Sequence, residues 1–220
     1  MSLNIENREI ENVHVIDDNS EARLSYQDFL IALDLNPVLE NGPFAQPTDV
    51  VHNIKNGSSG VLCDYMLNQT DYADFKGAET VKCMYQKRIP AILVTKYGKA
   101  EIEEIREYRQ WIPSLLIPDH LDEESLIEGF QSCIREFNDI ISDNRKPWRT
   151  QVRVDFLEKE RSVLYLIVPG WNSNQIIKLR FAAVPDAILE KILKNEKRFY
   201  VKTNLGADTE DELYFTDWEI

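Results

Sequence analysis

The first 140 residues hold a series of short apolar runs, each too short for a buried helix and separated by amphipathic stretches. Val13–Asp17 (VHVID), Gly60–Leu67 (GVLCDYML), Ala91–Thr95 (AILVT) and Ile112–Pro118 (IPSLLIP) read as buried strands, and a shorter segment, PVLENG, follows Asn36. Between them, EARLSYQDFLIALDL after Asn19-Ser20, a weaker stretch over Thr48–Lys55, Tyr72–Arg88, the charged Lys99–Trp111 and DEESLIEGFQSCIREFNDII read as helices, the last capped by Asp122. Asn56–Gly60 reads as a loop. Five strands alternating with five helices predict a doubly wound five-stranded parallel sheet. In such sheets ligands bind at the carboxyl ends of the strands, where Asp17, Asp18, Asp64 and Thr95 all fall.

After Asp143–Pro147 the rhythm changes to period two. RTQVRVDFLEKE, SVLYLIVPG, QIIKLRFAAV, RFYVKTNLGA and ELYFTDWEI read as strands, with one helix, PDAILEKILKN, opened by proline. This predicts a first domain over residues 1–144 and a small antiparallel, β-barrel-like domain with one helix over 145–220.

Charge narrows the partners. The net charge is −13, and from Pro147 onward 11 Lys+Arg face 12 Asp+Glu, so nearly all the negative charge lies before that point. Neither part has the basic footprint that DNA binding needs. No apolar run is long enough to cross a membrane, and the N-terminus lacks the pattern of a secretory signal. Cys63, Cys83 and Cys133 are odd in number and form no C-x-x-C pair, which fits reduced thiols and a cytoplasmic setting.

Three carboxylates at two strand ends suit a magnesium ion, a hard cation that prefers oxygen ligands. Beside such a cation a carboxylate can attack phosphorus, because the metal offsets its repulsion from the phosphoryl oxygens.

VHVIDDNS, GVLCDYML and IPAILVT, in this order and at these intervals, resemble response-regulator receiver domains of two-component signalling, over about residues 12–141. The resemblance implies a flavodoxin-like fold, Mg²⁺ held by Asp18 directly and by Asp17 through water, and Asp64 as phosphoryl acceptor and metal ligand. It also implies the Met66 carbonyl as a further ligand and Thr95 as the hydroxyl that bonds the phosphoryl oxygen. Two family features are missing. Where a lysine followed by proline ends the fifth strand, this chain has Ile117 or Pro118, and Leu115 and Leu116 stand where a switch aromatic is usual. Lys96, next to Thr95, replaces a small residue and is expected to substitute in part for the lost lysine or to cover the site.

The resulting expectation is a cytoplasmic response regulator that takes a phosphoryl group on Asp64 from a histidine kinase or phosphotransfer protein. Any catalysis would amount to its own phosphorylation and dephosphorylation. The signal would pass through the C-terminal domain to a downstream protein partner, and a homodimer through the fourth helix, fifth strand and fifth helix is open. The alternative is an unphosphorylated pseudo-receiver serving as an interaction module. A barrel acting as ligand sensor or enzyme ranks last, because nothing after Pro147 clusters a nucleophile, a base and metal ligands.

The remaining features have structural readings. His14, His52 and His120 are isolated, and Cys63 packs as a small apolar residue. Arg145 and Arg149 form an R-x-x-x-R spacing that resembles the cyclic-dinucleotide-binding PilZ domains, but the companion D/N-x-S-x-x-G motif is absent, so a basic linker is the preferred reading. Trp171, in a PGWNSN turn, is the best candidate for an exposed contact residue.

Overall fold

The computed structural model describes residues 2–54, 57–96 and 99–219. The chain divides into two compact units, one of residues 1–96 and 111–140, the other of residues 97–110 and 141–220. The sequence expectation places the boundary at about Asn144, with all of Lys99–Trp111 before it.

The first unit opens with a hairpin that the sequence reading does not anticipate. Strands β1 (Leu3–Ile5) and β2 (Arg8–Ile10) pair antiparallel. Glu6 and Asn7 between them both have positive φ, as a two-residue I′-type turn requires.

Five parallel strands follow: β3 (Asn12–Ile16), β4 (Asn36–Leu39), β5 (Ser59–Asp64), β6 (Ala91–Val94) and β7 (Ser114–Leu116). Their order is β4-β3-β5-β6-β7. This is the doubly wound, flavodoxin-like order that the sequence predicts, with its switch point between β3 and β5. Ser59, expected in a loop, begins β5, one residue before the expected strand start at Gly60; Asn56 and Lys55 lie outside the described residues.

Among the described residues, four α-helices belong to this unit: α1 (Ser20–Ala32), α2 (Pro47–Asn53), α3 (Gly77–Gln86) and, numbered in chain order, α5 (Glu123–Phe137). Asn19 caps α1 by accepting from the Glu21 and Ala22 amides, and Asp122 caps α5 through Ser125. Val13, Val15, Leu62, Ile92, Val94 and Phe130 are fully or almost fully buried in one core.

Helix α3 begins at Gly77 rather than at Tyr72. The Gly77 amide donates to the Tyr65 carbonyl at 2.8 Å, and a Cβ there would lie 1.9 Å from the Asp64 carbonyl oxygen. Only glycine lets the helix start this close to the end of β5.

In the second unit α4 (Lys99–Ile105) precedes the strands; a 3-10 turn over Arg109–Trp111, whose last residue belongs to the first unit, follows it, so the expected helix Lys99–Trp111 is shorter and ends irregularly. Strands β8 (Trp148–Glu158), β9 (Val163–Val168), β10 (Asn172–Arg180), β11 (Arg198–Thr203) and β12 (Phe215–Glu219) form an antiparallel sheet, with α6 (Asp186–Leu193) between β10 and β11. The order is β10-β9-β8-β11-β12. Register shifts at Val154/Phe156, Asn172/Ile177 and Tyr200/Lys202 mark bulges, and β10 and β12 remain its edges, unpaired with each other. Val152, Leu164, Leu166, Ile177, Ile188 and Val201 are at the centre of its core.

Gly77→Ala should cost about 1–3 kcal/mol, because the methyl meets main chain that cannot rotate away. Urea denaturation of the two proteins checks this; an unchanged midpoint would mean that α3 can shift freely at its start.

Candidate functional site

β3 and β5 are adjacent parallel strands with Ile16 opposite Cys63, so both chains leave the sheet at the same level. Asp17 and Asp18 follow β3 directly, and Asp64 is the last residue of β5. One carboxylate oxygen from each of Asp17, Asp18 and Asp64 lies within 4.8 Å of the other two.

Main-chain amides hold each carboxylate. Asp17 Oδ1 accepts from the Asn19 amide at 2.7 Å, Asp18 Oδ2 from the Gln69 amide at 3.0 Å and Asp64 Oδ2 from the Met66 amide at 2.7 Å. Asp17 is almost fully buried, whereas Asp18, Asp64 and Met66 are half-buried.

The electrostatics record the crowding. Burial is the main force that pushes the Asp64 carboxyl up to about 7; the neighbouring Asp17 adds to it, and the Met66 amide offsets part of it. Asp17 is raised too, first by burial, with the Asn19 amide opposing and Asp18 adding. Arg23 and Lys96 bring positive charge toward Asp17.

Thr95 follows β6 and is buried, and its amide donates to the Leu116 carbonyl at 2.9 Å. Lys96, beside it, is exposed. β7 ends at Leu116, and the next residues are Ile117, 49% exposed, and Pro118, so no cation follows the fifth parallel strand.

Three contributors go beyond the sequence reading. The Arg23 guanidinium donates to the Asp17 carbonyl and lies 5.2 Å from the centre of the Tyr72 ring. Tyr26, one turn further along α1, is pushed up to about 12 by burial and then by the charges of Asp17 and Asp64. Gln69 supplies the amide that anchors Asp18. Arg23 leaves a usable signal: side chains in a first helical turn lean toward the helix N-terminus, here the end of β3. Gln69 acts through its main chain, so its residue type carries no signal.

The histidine reading holds for His14. Its Nδ1 lies 2.7 Å from Glu40 Oε1 in a buried pair, and Asn53 Nδ2 donates to Glu40 Oε2 at 3.0 Å. Arg145 is buried as well, and donates at 3.2 Å to the carbonyls of Arg109 and Gln110. Arg149 forms a two-pronged pair with Glu219 at 2.6 and 2.7 Å. Trp171 departs from its expected exposure: it packs against the core of the second unit, and its Nε1 donates to the Ala207 carbonyl at 2.7 Å.

No protein-family model and no curated protein matches the chain. Among solved structures, a response regulator receiver domain protein from Clostridium thermocellum aligns at 12% identity, over 60% of this chain and 100% of that one, with a TM-score of 0.44. The signal receiver domain of an HD domain-containing protein from Pseudomonas fluorescens Pf-5 aligns at 13% identity over 59% and 90%, with a TM-score of 0.44. The beryllofluoride-activated NtrC4 receiver domain dimer aligns at 14% identity over 58% and 99%, with a TM-score of 0.42. No helix among the described residues is long and apolar enough to cross a membrane.

The donor set fits a magnesium ion. All three side chains offer hard oxygens, and two of them have charged forms that burial and their neighbours disfavour. Without divalent metal, the folded state holds the Asp64 proton up to about pH 7 and the unfolded state releases it near 4. Stability contributed by this carboxyl therefore falls as pH rises through that window. In chelator, Asp64→Asn should be more stable than wild type at pH 8, by about 2 kcal/mol after allowance for partial solvent screening, and the gap should close by pH 4. Urea titrations at the two pH values test this, and a gap independent of pH would contradict it.

Proposed function

We propose that the first unit is a receiver that takes a phosphoryl group on Asp64 from the phosphohistidine of a histidine kinase or phosphotransfer protein. The observation that carries this reading is the convergence of Asp17, Asp18 and Asp64 within 4.8 Å at the switch point of the sheet. A carboxylate oxygen of Asp64 would form the new O–P bond while the P–N bond to the donor imidazole breaks and the imidazole leaves. Asp18, Asp64 and the Met66 carbonyl, with Asp17 through water, would hold Mg²⁺, which would supply the positive charge that lets carboxylate and phosphoryl oxygens approach.

The chain's own residues do the remaining work. The Met66 amide holds one Asp64 oxygen, which leaves the other to attack. Thr95, fixed to β7 through its amide, would donate its hydroxyl to a phosphoryl oxygen. Lys96, exposed and close enough to act on Asp17, would bring positive charge in place of the missing fifth-strand lysine. The second unit then serves as the module that carries the signal to a downstream protein.

The bare β7 end, with Ile117 and Pro118, favours a second reading, in which the site is never phosphorylated and the protein acts only as an interaction module. Fluorine NMR of beryllofluoride with Mg²⁺ separates the two. The receiver reading expects a bound signal in wild type and none in Asp64→Ala; no bound signal at millimolar Mg²⁺ would leave the interaction module. In a protein that does form the acyl phosphate, Lys96→Ala should shorten its lifetime by about tenfold, a modest electrostatic contribution. An unchanged lifetime would remove Lys96 from the site.

A further inference from the structure

Charge is segregated in the antiparallel sheet. Of the 11 Lys and Arg residues after Lys146, six alternate onto one face: Arg149 and Arg153 on β8, Lys178 and Arg180 on β10, Arg198 and Lys202 on β11. The acids of the same stretch lie mostly in loops, turns and α6.

The β10 end of this face already takes carboxylates from its own unit. Lys178 Nζ lies 2.7 Å from Glu103, and Arg180 lies 2.9 Å from Glu104 and 3.3 Å from Glu107, so the acidic helix α4 and the turn after it are paired with β10. Arg106 Nη1 also donates to the Lys178 carbonyl at 3.2 Å.

Toward β11 the face is only partly paired, and the Arg149 guanidinium lies 3.8 Å from the centre of the Tyr200 ring. Arg149 and Lys202 are satisfied within the sheet, by Glu219 and by Asp217 at 3.0 Å. Arg153 and Arg198 are directly opposed in register and exposed, and among the described residues neither has an ion-pair partner. Like charges placed opposite each other on neighbouring strands destabilise a sheet. On the same face Tyr200 is 40% exposed and Phe156 is 49% exposed, the latter stacked on Tyr165 with ring centres 4.1 Å apart. Arginine and tyrosine are side chains that concentrate binding energy at protein interfaces.

We propose that the opposed Arg153 and Arg198, flanked by Tyr200 and Phe156, form the docking surface for an acidic segment of a partner protein. The partner's carboxylates neutralise these guanidiniums as Glu103, Glu104 and Glu107 neutralise Lys178 and Arg180. With Arg149 and Lys202 already paired, two guanidiniums beside aromatic rings fall short of the extended basic stripe that a phosphate backbone needs, which disfavours nucleic acid as the occupant. The inference deepens the reading of the second unit as an interaction module and does not depend on phosphorylation of Asp64; a negative beryllofluoride result leaves it standing.

The test uses the full chain and a fluorescein-labelled dodecapeptide of alternating Glu and Phe, followed by fluorescence anisotropy, with a thymidine dodecanucleotide as second probe. Wild type should bind the peptide, more weakly as salt rises, and should bind it more tightly than the oligonucleotide. Arg198→Glu should weaken peptide binding at least about tenfold, the range of a lost charge pair at an interface. The same variant should melt about 1–4 °C higher, because an opposite-charge cross-strand pair replaces a like-charge one. Arg153→Glu should reproduce both effects. The proposal is overturned if wild type ignores the peptide, if it prefers the oligonucleotide, if either variant binds undiminished, or if binding falls only together with melting temperature.

Discussion

Burial of crowded carboxylates at the ends of β3 and β5 is the constraint around which the first unit is arranged. Parallel pairing with Ile16 opposite Cys63 brings Asp17, Asp18 and Asp64 to one level, and burial makes the charges of Asp17 and Asp64 costly. The surrounding chain answers with dipoles. The amides of Asn19, Gln69 and Met66 each point at one acid, and Arg23 draws in from α1. Gly77 belongs to the same arrangement, because it lets α3 start against the main chain of Asp64 itself. A site so rich in negative charge and so supplied with hard oxygens is built to receive positive charge.

How much of this the sequence discloses depends on the range of the forces involved. β5 and β6 hold apolar runs buried on both faces, and β3 holds one interrupted only by His14; all three are legible because burial dictates their composition. The acids at their ends are legible for the same reason: the runs point to them. The β1–β2 hairpin is not, since its two-residue turn uses Glu6 and Asn7 rather than a glycine-marked pair. β4 opens with Asn36-Pro37, which reads as a turn, yet it lies at the edge of the sheet, where a proline is tolerated. Trp171 sits in a turn by sequence, but the carbonyl of Ala207, 36 residues away, takes its indole N–H, a contact no local pattern encodes.

The stretch from Lys99 to Trp111 shows where local reading stops. Its sequence reads as a charged helix of the first domain. Three of its acids instead meet Lys178 and Arg180 on β10, and Arg106 and Arg109 are nearly as buried as core residues. Partners more than 70 residues apart decide the company of this helix, and charge complementarity between the two segments becomes visible only once the sheet has placed both basic side chains on one face.

The path of the chain has a consequence for descent. It leaves the first unit after Lys96, returns at Trp111 and leaves again after Ile140, so neither unit is a single uninterrupted stretch. Modules that occupy one stretch each can be traded between genes by recombination at a single point. Here a crossover near Asn144 would carry away the sheet and leave behind the helix whose acids it pairs. Such an exchange would therefore separate Glu103, Glu104 and Glu107 from Lys178 and Arg180, which a cut between single-stretch modules would not do.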